Sequence, residues 1–167
     1  GEKENVVYIN DPVKCVCVED DNTAKRDRCF VVGTASGQLL YYSQVWFTKK
    51  ELILFNGDDS PVSVISWRGD VIAWADACQV RLLDIASKTA ICYVPSPHAV
   101  SKANPYPCKL FWESNTNLYI GWADSFRHLE LSAQSTTTEM DNNAAVVGVK
   151  QTLSGKTVAD WQTDVII

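Results

Sequence analysis

The sequence has 167 residues, of which 46% are hydrophobic and 21% are charged, and this composition argues against an intrinsically disordered chain. Its net charge of −5 at pH 7 argues against binding to nucleic acid or to an anionic membrane surface, because both require a cationic patch. No apolar run approaches the ~20 residues of a membrane-spanning helix, so we expect no transmembrane segment.

A unit of short apolar segments occurs three times along the chain. The units begin around Pro12, Pro61 and Pro107, which are 49 and 46 residues apart. A period of about 40–50 residues built from short strands is typical of the blades of a β-propeller. No segment has the sustained apolar period of an amphipathic helix, so we predict almost no helix.

Each unit consists of short strands rich in β-branched and aromatic residues, separated by turn residues. The second unit has four predicted strands, at 62–67, 71–75, 79–85 and 89–94. The corresponding segments of the other two units are 12–18, 30–41 and 52–55, and then 106–112, 118–124 and 126–129.

Two polar stretches interrupt the strand pattern. Residues 19–28 are charged with mixed signs and lengthen the first hairpin, and residues 134–143 are polar and rich in Thr. Loops on a rigid scaffold serve either as recognition elements or as tolerated surface insertions, and we favour insertions. The roles of the loops at 19–28 and 134–145 stay open.

The predicted fold class is all-β: a partial, WD-repeat-like β-propeller of about three four-stranded antiparallel blades. The blades are expected at 6–58, 59–95 and 104–153, with 154–167 as the start of the next strand or as a closing strand. Closed propellers have about four to eight blades, and closure removes exposed strand edges. Because three blades leave two lateral faces bare, we expect the chain to belong to a longer protein or to depend on partner chains.

The six cysteines are interpreted as buried, reduced thiols that behave as small hydrophobic side chains. A zinc site usually needs two close-spaced ligand pairs, and Cys15-x-Cys17 has no second pair. The others are scattered singly, which also argues against a disulfide framework: Cys29, Cys78, Cys92 and Cys108. We therefore predict no metal and no cofactor.

Repeated aromatic and acidic residues are assigned structural roles. Asp76 and Asp124 each follow Trp-Ala and precede a strand, so we expect turn chemistry and not acid–base catalysis. Four tryptophans recur at equivalent places of the second and third units, which favours packing between blades over ligand binding. They are Trp67, Trp74, Trp112 and Trp122.

No candidate catalytic residue emerges. Arg68-Gly69-Asp70 spells an adhesion-type tripeptide, but between two apolar strands a hairpin turn is favoured over integrin recognition. His98 in a Pro-rich loop and His128 in a strand lack the motifs that accompany a catalytic His. We predict that the chain is not an enzyme and assign no catalytic, metal, cofactor-binding or partner-binding residues.

Several segments of the second and third units carry a family resemblance: 63–75, with Trp-Arg-Gly followed by Ile-Ala-Trp-Ala; 80–85; 104–108, with Tyr-Pro-Cys; 118–122; and 162–164. Together they resemble the amino-terminal propeller of the vacuolar protein sorting-associated protein 41 family, a subunit of the HOPS membrane-tethering complex. The resemblance is good over 60–131, looser over 29–58 and poor over 19–28 and 134–157.

This resemblance implies a longer protein, in which the propeller precedes an α-helical solenoid and a RING-type domain. It implies a non-catalytic docking scaffold that bridges late endosomes, lysosomes or vacuoles before fusion. The implied partners are other tethering-complex subunits, a late-endosomal or vacuolar small GTPase and a vesicle adaptor coat. The implied location is cytoplasmic and peripheral on those membranes.

Two alternative functions stay open. One is a propeller adaptor of another class, such as a coat or ubiquitin-ligase scaffold, which the sequence that follows the propeller would distinguish. The other is a hydrolase that uses the mouth of a propeller, which an activity screen with His98→Ala and His128→Ala controls would test.

Overall fold

The computed structural model describes residues 6–19, 28–45, 48–97, 106–136 and 150–162. These residues form twelve β-strands and no helix. The first four strands are Val13–Val18 (β1), Arg28–Thr34 (β2), Leu39–Val45 (β3) and Thr48–Phe55 (β4). The next four are Val64–Arg68 (β5), Val71–Ala75 (β6), Gln79–Asp84 (β7) and Thr89–Pro95 (β8). The last four are Lys109–Trp112 (β9), Asn117–Gly121 (β10), Ser125–Thr136 (β11) and Lys150–Gln162 (β12).

The strands form three four-stranded antiparallel sheets in which each strand pairs with its neighbours in sequence. We call them the first blade (β1–β4), the second blade (β5–β8) and the third blade (β9–β12). Tight turns join the strands, as between β5 and β6, where Gly69 has a φ of 55° that favours glycine. The predicted all-β fold of about three four-stranded blades is confirmed.

The last strand differs from the boundary expected at residue 153. β12 pairs with β11 from Lys150, opposite Thr136, to Gln162, opposite Ser125. Residues 154–162 therefore belong to the third blade and not to a separate following strand. Gly155 permits this course, because a Cβ atom there would lie 2.5 Å from the Sγ of Cys92 in the second blade. Residues 163–167 lie outside the described residues.

Two apolar clusters hold the blades side by side. The innermost strands contact one another in series, β1 with β5 and β5 with β9. The cluster between the first and second blades includes Val31, Leu39, Ile65, Trp67, Ile72 and Trp74. The cluster between the second and third blades includes Ala73, Val80, Leu82, Trp112, Leu118 and Ile120. The second blade, which lies between the other two, therefore has an apolar cluster on each of its faces.

Backbone hydrogen bonds define equivalent positions in the three blades. The turn between the second and third strands is closed by the N–H of Thr34, Asp76 or Trp122, one in each blade. These groups donate to the carbonyls of Gln38, Gln79 and Ser125 at 3.1, 3.0 and 2.8 Å, respectively. The residues just before them, which pair with the third strand, are also equivalent: Gly33, Ala75 and Gly121.

This register corrects one predicted equivalence. Trp67 and Trp112 occupy equivalent positions, as predicted. The position equivalent to Trp74 is Ile120, however, and Trp122 lies two residues farther along, in the turn. A two-residue shift leaves a side chain on the same face of a strand, so the alternation in the sequence did not reveal it.

Candidate interaction surface

The repeated tryptophans lie between blades. Trp67 makes an edge contact with Tyr41 of the first blade, with the ring centroids 5.8 Å apart. Trp112 of the third blade donates its Nε1 hydrogen bond to the carbonyl of Ser66 at 3.5 Å. Trp122 is half-buried and packs against the apolar cluster between the second and third blades. All of these positions support packing and not an exposed aromatic binding surface.

Asp76 has the turn chemistry predicted for it. Its Oδ1 accepts hydrogen bonds from the backbone N–H groups of Cys78 and Gln79 at 2.6 and 3.0 Å. Asp124 is the third residue of the corresponding turn, whereas Asp76 is the first residue of its own. The two aspartates therefore lie in corresponding turns of successive blades but at different positions within them.

Arg81 joins the second blade to the first. Its Nη1 donates to Oδ2 of Asp76 at 2.6 Å, and its Nη2 forms an ion pair with Asp58, which follows β4. Its guanidinium carbon lies 4.7 Å from the ring centroid of Phe55, also in the first blade. The sequence argument did not identify Arg81, because nothing local to it indicates a partner in the preceding blade.

The Arg68-Gly69-Asp70 tripeptide forms the hairpin turn expected for it. The Nε1 of Trp67 donates to the Gly69 carbonyl at 2.8 Å, and the Arg68 Nε donates to Oδ1 of Asn115 at 3.0 Å. Asn115 lies in the corresponding turn of the third blade. The contacts of this tripeptide therefore tie neighbouring turns together at one end of the blades.

His128 lies on the outer face of the third blade. Its Nε2 is hydrogen-bonded to Oδ1 of Asn117 at 2.9 Å, and its ring stacks on Tyr119 with 4.7 Å between centroids. An amide oxygen does not supply the carboxylate that orients the base of a catalytic triad. His98 lies outside the described residues, so the absence of enzymatic activity stays a prediction.

The cysteines are free thiols of differing burial. Burial raises the pKa of Cys108 to about 12 and the pKa of Cys15 and Cys92 to about 11. Cys78, which was expected to be buried, is exposed because it lies in the turn after Asp76. In the described ranges, no group of three or more His, Cys, Asp or Glu residues could hold a metal ion.

One end of the third blade carries a long two-stranded arm. β11 and β12 pair as far as Thr136 and Lys150, whereas the pairing of β11 with β10 ends at Glu130. We call residues 132–136 and 150–154 the arm. At ~3.3 Å per residue it extends about 17 Å beyond the sheet. The predicted polar loop at 134–143 thus begins inside a strand, and its residues from 137 onward lie outside the described residues.

The arm lies at the same end of the blades as the first hairpin turn of each blade. We call this the arm end. In the second and third blades it carries the turns bridged by Arg68 and Asn115. In the first blade, β1 ends at Val18 and β2 begins at Arg28 at this same end. Residues 20–27 lie outside the described residues.

The outer face of the first blade contains a cavity of about 370 Å³. Its lining combines apolar and acidic side chains, among them Tyr8, Leu40, Tyr42, Glu51 and Ile53. Burial, with a smaller contribution from the charge of Glu51, raises the pKa of Tyr42. No ligand chemistry follows from this lining alone.

Three consecutive four-stranded meanders that pack side by side make this chain an arc of a β-propeller. The family model Beta-prop_Vps41, whose description reads "Vps42 beta-propeller", matches residues 1–164. The chain belongs to the Vps41 β-propeller family, as the sequence resemblance predicted.

Similar proteins agree with this family. The vacuolar protein sorting-associated protein 41 homolog of Homo sapiens is 32% identical over 117 residues, which cover 70% of this chain and 13% of that protein. The homolog of Arabidopsis thaliana is 29% identical over 127 residues, 76% of this chain and 13% of that protein. The chain thus spans about one eighth of the length of these relatives.

A solved structure is similar in fold. The crystal structure of the computationally designed Ika4 protein superposes with a TM-score of 0.52 at 13% identity, covering 98% of this chain and all of that chain. At this identity the likeness concerns the fold alone. Within the described segments, no helix is long and apolar enough to cross a membrane.

Proposed function

We propose that this chain is a non-catalytic protein–protein docking scaffold of a HOPS-type membrane-tethering complex, acting in late endosome–lysosome or vacuole traffic and fusion. The single observation that carries the proposal is the family match over residues 1–164. The names of the curated relatives refer to vacuolar protein sorting. A blade array suits docking, because it holds loops on a stiff sheet framework and requires no reactive group.

The docking surface in this proposal is the arm end. The hydrogen bond between Arg68 and Asn115 holds neighbouring turns at this end in a defined arrangement. The arm projects from the same end as a two-stranded surface. It is longer than the short turns of the other blades. A partner that contacts both the turns and the arm would be recognised by shape over a broad surface.

The proposed partners are other subunits of the tethering complex, a late-endosomal or vacuolar small GTPase and a vesicle adaptor coat. The proposed location is cytoplasmic, peripheral on late endosome, lysosome or vacuole membranes. Contact with the membrane would then pass through partner proteins, since a chain of net charge −5 has little electrostatic attraction to anionic lipids. For the same reason the proposal includes no nucleic acid.

Affinity capture tests this proposal. The tagged chain is incubated with cytosol loaded with a non-hydrolysable GTP analogue, beside a variant in which residues 133–153 are replaced by an Asn-Gly turn, so that the paired residues Ser132 and Ser154 flank the turn. We expect recovery of tethering subunits or of a late-endosomal GTPase, with a clear loss in the arm variant. The matched control is Ala77→Lys, an exposed substitution at the opposite end of the blades, and it should capture normally.

Three outcomes would contradict the proposal. Recovery of coat or ubiquitin-ligase subunits in place of tethering subunits would support the alternative class of adaptor. Recovery of chaperones alone would show that the chain is not a competent docking module. Esterase or phosphatase activity that His98→Ala or His128→Ala abolishes would contradict a non-catalytic role.

A further inference from the structure

Asn56 and Gly57 begin the segment that joins the first blade to the second. Asn56 directly follows β4, is exposed and lies outside the strands. It is the only asparagine of the sequence that precedes a glycine. Asparagine is chemically labile in proteins, and an Asn-Gly pair is especially reactive because glycine has no side chain that crowds its backbone nitrogen. The pair is therefore a candidate site of chemical modification.

The backbone nitrogen of Gly57 is available for reaction. Its N–H donates no hydrogen bond to any of the residues that the structure describes. Attack by this nitrogen on the side chain of Asn56 therefore breaks no existing hydrogen bond. Gly57 has a φ of 89°, which favours glycine. The conformation of the segment thus requires the residue that makes Asn56 reactive.

Asn115 in the third blade provides a matched comparison. It is also exposed and lies between two strands. Its Oδ1 accepts a hydrogen bond from Nε of Arg68 at 3.0 Å. The next residue is the β-branched Thr116, whose N–H donates to Oγ of Ser114 at 3.2 Å. Because both the side chain and the nitrogen that would react are held by hydrogen bonds, we expect Asn115 to be far less reactive than Asn56.

We propose that Asn56 of the folded chain deamidates spontaneously and that its isoaspartyl product weakens the contact between the first and second blades. Hydroxide removes the proton of the Gly57 nitrogen, which then forms a bond to Cγ of Asn56. The bond from Cγ to Nδ2 breaks, and Nδ2 takes a proton from water and leaves as ammonia, which regenerates hydroxide. Water then opens the resulting succinimide ring. Aspartate forms when the bond from the nitrogen to Cγ breaks, and isoaspartate forms when its bond to the main-chain carbonyl carbon breaks.

The isoaspartyl product inserts one carbon atom into the main chain immediately before Gly57, where the segment is closely packed. A Cβ atom at Gly57 would lie 2.6 Å from the carbonyl oxygen of Ser36, and the N–H of Asp59 donates to the same oxygen at 3.1 Å. Asp58, between them, forms the ion pair with Arg81 of the second blade. We therefore expect the inserted carbon to displace Asp58 and to break this ion pair. The inference does not depend on the proposed role in membrane tethering.

Peptide mapping by mass spectrometry tests the modification on the full chain, kept folded in mildly alkaline buffer. We expect the peptide that contains Asn56 to gain about 1 Da, at least about tenfold faster than the peptide that contains Asn115. The rate should rise with pH, because hydroxide removes the proton of the Gly57 nitrogen. Methylation by an isoaspartyl methyltransferase detects the isoaspartyl product. Asn56→Gln should suppress both signals, because its longer side chain would have to close a larger ring.

Thermal melts test the effect on the contact between the blades. A sample enriched in isoaspartate should melt at a lower temperature than the fresh chain. Asn56→Asp is the matched control, since it adds the same charge at an exposed position without lengthening the main chain, and it should melt nearly as the wild type does. Conversion should lower the midpoint of Arg81→Leu by less than that of the wild type, because this variant already lacks the ion pair with Asp58.

Three results would overturn the proposal. Equal rates of conversion at Asn56 and Asn115 would show that Gly57 gives no advantage in the folded chain. Conversion in urea but not in native buffer would show that the folded segment prevents the attack. An isoaspartyl sample that melts as the fresh chain does would show that the inserted carbon leaves the contact between the blades intact.

Discussion

Arg81 and Asp76 form a buried ion pair, with 2.6 Å between Nη1 and Oδ2 and side chains that are 16% and 1% exposed. The equivalent residues of the third blade are Arg127 and Trp122. There the guanidinium carbon lies 5.7 Å from the tryptophan ring. The same backbone positions thus place an arginine beside a carboxylate in one blade and beside an aromatic ring in the next.

Replacing Arg81 by Leu should destabilise the protein by about 2–4 kcal/mol, because it leaves the buried Asp76 without its cationic partner. Two backbone N–H groups still donate hydrogen bonds to Oδ1 of that carboxylate. Urea unfolding at a fixed protein concentration measures the effect. Arg68→Leu, which removes an exposed hydrogen bond to Asn115, should cost less than about 1 kcal/mol. Equal losses of stability in the two variants would show that the burial of the Arg81–Asp76 pair does not increase its contribution.

Gly33→Ala should lower the thermal midpoint clearly, while the equivalent change Gly121→Ala should leave it nearly unchanged. A Cβ atom at Gly33 would lie 2.6 Å from Cγ1 of Val62 and 2.9 Å from Sγ of Cys15, so the blade contact must shift. At Gly121 the nearest atom is 3.7 Å away, an ordinary contact. Thermal melts of both variants at one concentration test this, and similar midpoints would count against the close approach.

Trp112→Ala should cost about 3–5 kcal/mol, since the indole is buried between the second and third blades. Trp122→Ala should cost only about 1–2 kcal/mol, because Trp122 is half-buried in a turn and not in the core position of Trp74. Denaturant titration of both variants compares the two losses. A Trp122 variant as unstable as the Trp112 variant would contradict the revised register.

Stability should fall as the pH rises above about 9, because the buried thiols resist ionisation in the folded chain. The pKa of Cys108 is raised to about 12, above its ordinary value of 9.0. Below pH 9 the thiol is protonated in both states, and between 9 and 12 only the unfolded chain releases the proton. At pH 10 the ionisation of the thiol in the unfolded chain lowers the free energy of unfolding by about 1 kcal/mol for each such thiol. Unfolding of Cys108→Val at pH 8 and 10 should show a smaller loss than wild type, and an equal loss would contradict the assignment.

The sequence predicted the strands of the second blade closely. Alternating apolar residues and turn signals act over a few residues, and β6 at Val71–Ala75 has the predicted bounds. β5 starts at Val64 and not at residue 62, because the N–H of Val62 donates to the carbonyl of Thr34 in the first blade at 3.1 Å. That contact joins residues far apart in the chain, and no local pattern indicates it.

The surface features were less predictable. The polar composition of residues 134–136 indicated a loop, yet pairing with β12 extends β11 through them. Strand pairing is made by backbone hydrogen bonds, so it does not require an apolar alternation of side chains. Cys78 was expected inside because isolated cysteines usually are, but its turn places it outside.

The sequence by itself determined that this chain contains three successive four-stranded blades, because strand alternation, turn chemistry and the repeat period are all encoded locally. Only the tertiary structure decided the register of the third blade, the contact of Arg81 with Asp58, and the exposure of Cys78. The reason is physical: a shift of two residues leaves the alternation unchanged, and contacts between blades depend on how whole sheets pack.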